Sequence, residues 1–195
     1  MSIRGITIRD AAHTFLGTTD ADIHYIPASS DWTTTRSGAV VLEGTQRFMF
    51  EDNQVSRCDG NGLFLNNYNR NTSIVGNEFN FVGATAISAF GSMSPCLNQN
   101  CSARLHYPSG VDGRPGNQPR RTQVIGNLIR EVGLFQSQSG GWAGHLAAAT
   151  HLEGNVMFNI PLSAVNFVRQ AAQPLTCLLC LFVRRPNTQY GSTTN

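Results

Sequence analysis

The sequence predicts an all-β fold in which coils of about 24 residues stack into a parallel β-helix, and three observations predict it. One phrase recurs as TSIVGNEFNFVG (72–83), TQVIGNLIREVG (122–133) and THLEGNVMFNIP (150–161). A fourth copy, FMFEDNQVSRCDG (48–60), keeps the Asn and carries Asp52 where the others have Gly. Apolar residues within these runs recur at a spacing of two and are rich in Val, Ile, Phe and Thr, which is strand chemistry rather than helix chemistry. Finally, Asn53, Asn77, Asn127 and Asn155 stand 24, 50 and 28 residues apart. The middle interval reads as one coil with an insertion of about 26 residues, because the piece from Gly91 to Arg120 has no repeat pattern.

The elements follow in order. IRGITIRDAA makes a first coil with Ile3, Ile6 and Ile8 expected inward, and it lacks the Asn. A long insertion, residues 12–36, enters before the GAVVL strand. From Phe48 onward the coils superimpose. Phe48, Thr72, Thr122 and Thr150 form one column, and Phe50, Ile74, Val124 and Leu152 the next. Val55, Phe79, Ile129 and Met157 follow the Asn by two residues, and Cys58, Val82, Val132 and Ile160 by five. A third strand is expected to stack Ala39, Leu63, Ile87, Gly141 and Val165 inward, then Val41, Leu65, Ala89, Ala143 and Phe167. The second insertion, residues 92–120, leaves just after TAISAF. Three short strands per coil give three parallel sheets around one narrow core. The coils span residues 1–167. Residues 168–195 show no alternation and no Gly-Asn. They read as a divergent cap or as a tail foreign to the coil, and the lack of amphipathic spacing favours the tail.

The recurring Gly-Asn has a physical reason. The bend between the second and third strands of each phrase needs a left-handed backbone, which Gly adopts without a Cβ clash and Asn tolerates. An inward Asn can then bond the Asn of the next coil, about 4.8 Å away, satisfying amide and backbone together. A buried ladder through Asn53, Asn77, Asn127 and Asn155 is expected, with a structural role. Asn69 is expected in an exposed turn. Cys58, in a core column, is expected to be a buried free thiol.

Composition narrows the function. Only 13% of the 195 residues are charged, about half the usual share. A formal charge of +2, with scattered basic residues, gives no footprint for nucleic acid. The longest apolar run, PLTCLLCLFV (174–183), is about half a membrane span. Met1 leads straight into IRGITIRD without a signal peptide. The protein is therefore cytosolic, or its true start lies upstream. The closely spaced Cys96 and Cys101, a pair suited to a disulfide, and the sequons at Asn71 and Asn100 favour the second, with the full-length form secreted or on the cell surface. Cys177 and Cys180 have no second pair nearby, so zinc is not expected. Asp20, Asp22 and His24 lack calcium-loop spacing and read as a solvated loop.

With its Gly-Asn turns, coil length and Asn ladder, the chain resembles the right-handed parallel β-helix proteins of the pectate-lyase-like superfamily over residues 1–167. That resemblance implies a right-handed helix. It also implies a lineage of polysaccharide lyases, polygalacturonase-type hydrolases, uronan epimerases and non-enzymatic surface proteins. The NTD, DD, GHG and RIK motifs of polygalacturonases are absent, and Gly144-His145-Leu146 is a partial echo. The calcium-binding Asp cluster and catalytic Arg of pectate lyases are not recognisable, so those activities are not implied. The expectation is a carbohydrate-active β-helix of hydrolase or lyase lineage, whether active or an incomplete or inactive member, or alternatively a non-catalytic carbohydrate-binding or surface-adhesion protein. It would be a monomer without a cofactor or metal, and polysaccharide would be its partner.

Both insertions flank the sheet built from GAVVL, GLFL, AISAF, GWAGH and AVNF, and family members bind polysaccharide over that sheet. Its outward residues are expected to include Val40, Phe64, Ser88, Trp142 and Asn166 in one row, with Asn66 and Phe90 in the next and Glu43, Asn67 and His145 at the edge. Exposed aromatics would stack on sugar rings and amides would bond hydroxyls, making Phe64, Asn66, Asn67, Ser88 and Trp142 the candidate binding residues. The alternative is that the long loops, with Tyr25, Trp32 and Tyr107, bury the aromatics. A glycoside hydrolase needs two carboxylates about 5–9.5 Å apart. Candidates for catalysis are Asp59, Asp31, Glu43 and His145, although Glu43 and His145 stand three coils apart, roughly 14 Å.

Overall fold

The structure, a computed structural model, describes residues 1–12, 35–91, 116–168, 176–178 and 181–184. It is a right-handed parallel β-helix of three six-stranded sheets. With strands numbered in chain order, the first sheet stacks β1 (Ser2–Arg4), β4 (Met49–Glu51), β7 (Ser73–Val75), β11 (Gln123–Ile125), β14 (His151–Glu153) and β17 (Thr176–Leu178). The second stacks β2 (Thr7–Arg9), β5 (Gln54–Cys58), β8 (Glu78–Val82), β12 (Leu128–Val132), β15 (Val156–Ile160) and β18 (Leu181–Arg184). The third contains β3 (Val40–Gln46), β6 (Leu63–Arg70), β9 (Ile87–Phe90), β10 (Pro119–Arg120), β13 (Gly140–His145) and β16 (Ser163–Val168). Among the described residues no helix is long and apolar enough to cross a membrane.

The Asn ladder lies at the bend between the first and second sheets. Backbone N–H groups of Asn53, Asn77 and Asn127 donate to Oδ1 of the next Asn at 2.9, 2.9 and 3.0 Å. Their Nδ2 groups donate to the same oxygens at 3.2, 3.0 and 2.9 Å. Each Nδ2 also reaches a backbone carbonyl of the preceding rung: Ile3, Phe50, Ile74 and Val124 in turn. All four Asn are buried. The residue before each Asn is left-handed: Asp52 (φ 53°), Gly76 (65°), Gly126 (61°) and Gly154 (61°). This is the bend that the repeated Gly serves.

Inward columns of the first two sheets match the expected register: Phe50 pairs Ile74, Val124 and Leu152 follow, and Val55, Phe79, Ile129 and Met157 stack beside them. These side chains are fully buried. Cys58 is a buried free thiol, and burial pushes its pKa up. Ile6 differs from expectation. It occupies the ladder position of the first coil, where its N–H bonds Asn53 Oδ1 at 3.1 Å and its side chain is 48% exposed.

Two strands of the third sheet, β3 and β13, depart from expectation in register, while β6, β9 and β16 keep their expected inward residues. Val40 pairs with Leu63, and Trp142 pairs with Ile87 and Val165. The inward rows are therefore Val40, Leu63, Ile87, Trp142, Val165, then Leu42, Leu65, Ala89, Gly144, Phe167. Trp142 is fully buried in the main core, with its ring centroid 6.3 Å from that of Phe167. A one-residue slip reverses every side chain of a strand, and it moves Trp142 from solvent to core.

The second insertion is spliced into one rung. β9 pairs β6 over Leu63–Asn66, and β10 pairs its far end at Asn69–Arg70, so Pro119–Arg120 belong to the coil rather than to the insertion. The two ends of the insertion meet at Gly91, where a Cβ would lie 2.6 Å from Gln118 Cβ and 2.8 Å from Leu146 O. Only Gly fits that neck. Asn69, expected in an exposed turn, is fully buried. Its Nδ2 donates to Leu42 O (3.0 Å) and Asn66 O (2.8 Å), and its Oδ1 accepts from Thr45 Oγ1 at 2.6 Å. Finally, β17 and β18 continue the stack, with Leu152 opposite Cys177 and Met157 opposite Phe182. Part of the segment read as a tail thus forms another rung.

Candidate functional site

The register sets what the outer face of the third sheet displays. Val41, Phe64, Ser88, Ala143 and Asn166 form one outward row, and Glu43, Asn66, Phe90 and His145 the next. Phe64 and Ser88 are buried on this face. Phe64 meets Phe90 edge-on at 5.4 Å, and together with Ala143 they form a small cluster of their own outside the main core. Ser88 Oγ and Asn166 Nδ2 are buried without a hydrogen-bond partner among the described residues. With Trp142 in the core and Phe64 covered, the expected aromatic platform is absent from this face. Phe64, Phe90 and Ala143 pack against one another here.

Polar groups concentrate at the far edge of the same face. Glu43 accepts from both neighbouring amides, Oε2 from Asn66 Nδ2 and Oε1 from Asn67 Nδ2, each at 2.9 Å. Arg36 meets the same two amides from the other side: its Nη1 donates to Asn66 Oδ1 at 2.8 Å and more loosely to Asn67 Oδ1 at 3.4 Å. Its Nη2 donates to the Gly91 carbonyl. The two amides thus bridge a carboxylate and a guanidinium, each using its donor toward the anion and its acceptor toward the cation. Burial pushes the Arg36 pKa below its ordinary value, while the Glu43 charge opposes that shift. The Arg36 guanidinium also lies 5.9 Å from the centre of the Phe90 ring, and His145 packs against the same ring at 6.0 Å. Asn67 holds a left-handed φ of 53°, which turns its amide toward Glu43's edge of the sheet.

The structure brings Glu43, Asn66 and Asn67 together, and places His145 two rungs beyond Asn66 in the same row. Asp59 lies apart. It is half-buried on the turn entering β6, ahead of the strand that carries Asn66 at its middle, with its N–H on Ala11 O at 3.0 Å. Asp31 lies outside the described residues, as do Asp20, Asp22, His24, Tyr25, Trp32, Cys96, Asn100, Cys101, Tyr107 and Cys180. Sequence reasoning missed Arg36, which it counted as the last residue of an insertion. A lone Arg at a loop end carries no periodic signal.

Among the described residues, no three His, Cys, Asp or Glu side chains converge as a metal site. The strands of the third sheet contain a single carboxylate, Glu43, and it is held by two amides. The strip can bind hydroxyls and hold a ligand in register, and among the described residues the strands of its sheet present no second acid for general acid–base cleavage. Comparison of the chain with family models, curated proteins and solved structures returns no match.

Proposed function

We propose that the chain is a non-catalytic saccharide-binding β-helix of the pectate-lyase-like superfamily, with its contact strip at Glu43, Asn66, Asn67, Arg36 and His145. One observation carries this reading. The two Asn amides are fixed between a carboxylate and a guanidinium at the edge of a rigid sheet, half-exposed, with no partner carboxylate in that sheet. Preorganised amides and charged groups of this kind recognise sugar hydroxyls, and a lone acid does not hydrolyse a glycosidic bond. Superfamily membership is supported by the three-sheet parallel stack and the Asn ladder, together with the Gly-Asn phrase.

The test is a panel of neutral and acidic polysaccharides, read in parallel for binding by calorimetry and for released reducing ends or unsaturated products. Binding without product is expected, weakened roughly tenfold or more by Asn67→Ala. Product formation that Glu43→Gln abolishes would replace this reading with a catalytic one.

A further inference from the structure

The outer face of the first sheet holds a pocket of about 400 Å³ lined by Asn71, Ser73, Arg121, Gln123, Ala149 and His151. Register builds it. Ser73, Gln123 and His151 are partners on three successive rungs. Asn71, Arg121 and Ala149 lie two residues earlier on those rungs, with left-handed φ of 54°, 57° and 51°. Rungs about 4.8 Å apart and strands rising about 3.3 Å per residue put all six within the span of one small ligand.

The lining is rich in donors and free of carboxylates: one guanidinium, two amides, a hydroxyl and an imidazole. Ser73 Oγ donates to Gln123 Oε1 at 3.3 Å, which leaves the Gln123 amide N–H groups for a ligand. His151 Nε2 lies 2.8 Å from Glu153 Oε2, outside the lining. Arg4, Arg9, Arg57 and Arg130 each pair with a carboxylate. The Arg121 guanidinium makes no ion pair or side-chain hydrogen bond among the described residues. At the bend that holds Arg121 the equivalent positions are Arg47, Asn71 and Ala149, all left-handed and none of them Gly, and Arg121 is the one that brings a cation to the pocket.

We propose that this pocket binds a tetrahedral oxyanion, a sulfate or phosphate group, free or esterified on a saccharide. A tetrahedral oxyanion accepts from several directions at once, which matches donors arriving from three rungs around one unpaired guanidinium; a carboxylate is satisfied by a single planar fork. Arg121 supplies the charge, Asn71 and Gln123 the neutral donors; Ser73 holds the Gln123 amide through its own hydroxyl bond, and His151 closes one end. This pocket lies on a different sheet from the Glu43 strip and stands independently of the saccharide reading given for that strip.

The test uses isotope-labelled protein from a host that does not glycosylate, since Asn71 heads the Asn71-Thr72-Ser73 sequon. Side-chain resonances of Arg121 and Gln123 are followed while inorganic sulfate, inorganic phosphate, a sulfated galactan and its desulfated form are titrated in. Saturable shifts are expected, and Arg121→Gly, which relaxes the backbone while removing the charge, should weaken them roughly tenfold or more. Arg47→Gly is the matched control: Arg47 has φ 52° at the equivalent turn two coils before Arg121 and lies outside the lining. It should leave affinity within about twofold. Binding of the sulfated but not the desulfated galactan supports the ester as the source, and saturation by the ions alone supports the free oxyanion. No saturable shift at Arg121 with any probe, or equal weakening by the two Gly variants, overturns the proposal.

Discussion

Asn77 makes three kinds of bond from one buried position: its N–H and Nδ2 to Asn127 Oδ1, its Nδ2 to Phe50 O, and its Oδ1 to the N–H and Nδ2 of Asn53. Asn77→Ala strands several of these partners without water, and a loss of roughly 1–3 kcal/mol is expected from urea unfolding. Asn69 is buried and similarly satisfied by Leu42 O, Asn66 O and Thr45. Asn69→Ala should therefore cost a comparable amount, not the few tenths an exposed turn would give; unchanged urea midpoints in both variants would sink the ladder argument. The ladder was legible because Gly-Asn repeats in sequence. Asn69 was not, because nothing local distinguishes a buried Asn from a turn Asn in LNNYNRN. Glu78 adds a pH dependence. Burial alone would raise its carboxyl, but bonds from Asn80, Arg130 and Gln54 and the Arg130 charge hold it below the usual value. A lowered folded pKa stabilises the protein above the unfolded carboxyl value, and that stabilisation is lost as pH falls through the folded value. The stability gap between wild type and Glu78→Gln should therefore shrink from about pH 6 to about pH 3, as followed by urea midpoints.

At the scale of elements, two sheets were legible and the third only in part, because β6, β9 and β16 keep their expected inward residues while β3 and β13 slip by one, for a reason of spacing. Strands of the first two sheets sit at fixed offsets from the ladder Asn, with no room for extra residues. The third sheet is reached through a turn whose length varies. Cys58 to Leu63, Val82 to Ile87 and Ile160 to Val165 each take five residues, but Val132 to Trp142 takes ten. Periodicity of two cannot tell GGWAGH with Trp inward from the same run with Gly141 inward. Packing can. Trp142 fills the main core beside Phe167, and its Nε1 is buried without a partner among the described residues. Trp142→Ala should cost roughly 3–5 kcal/mol. Trp142→Phe keeps an aromatic ring and removes the orphaned N–H, so it should cost far less. Equal, small losses for both variants would return Trp142 to the surface. The Glu43 strip was legible in its residues, but not in its bonding, because its other half, Arg36, comes from beyond the repeat.

At the scale of the molecule, a solenoid is stabilised rung by rung, and its last rung shields the one before it. The coil formed by β17 and β18 was illegible because the residue before Leu181 is Cys180, where the four preceding strands of that sheet follow Asn. Without Gly-Asn the run TCLLCLFV reads as an apolar tail. In the structure its strands β17 and β18 pair in parallel with β14 and β15, and Leu181 N–H bonds Asn155 O at 3.0 Å, as Val156 N–H bonds Asn127 O at 2.9 Å. Ending the chain after residue 168 would unpair the edges of β14 and β15 and open the columns ending at Leu152 and Met157, both fully buried. Exposing two such side chains costs on the order of 3–6 kcal/mol, and an unpaired parallel edge is a template for association. Because contacts run only between neighbouring rungs, the damage should be local. Amide exchange should accelerate in β14 and β15 and stay slow in β5 and β8. Light scattering should show association of the shortened chain at concentrations where the whole protein is uniform. A 1–168 protein with an unchanged urea midpoint, uniform size and slow exchange in β15 would show that this rung is not shielded by the strands that follow it.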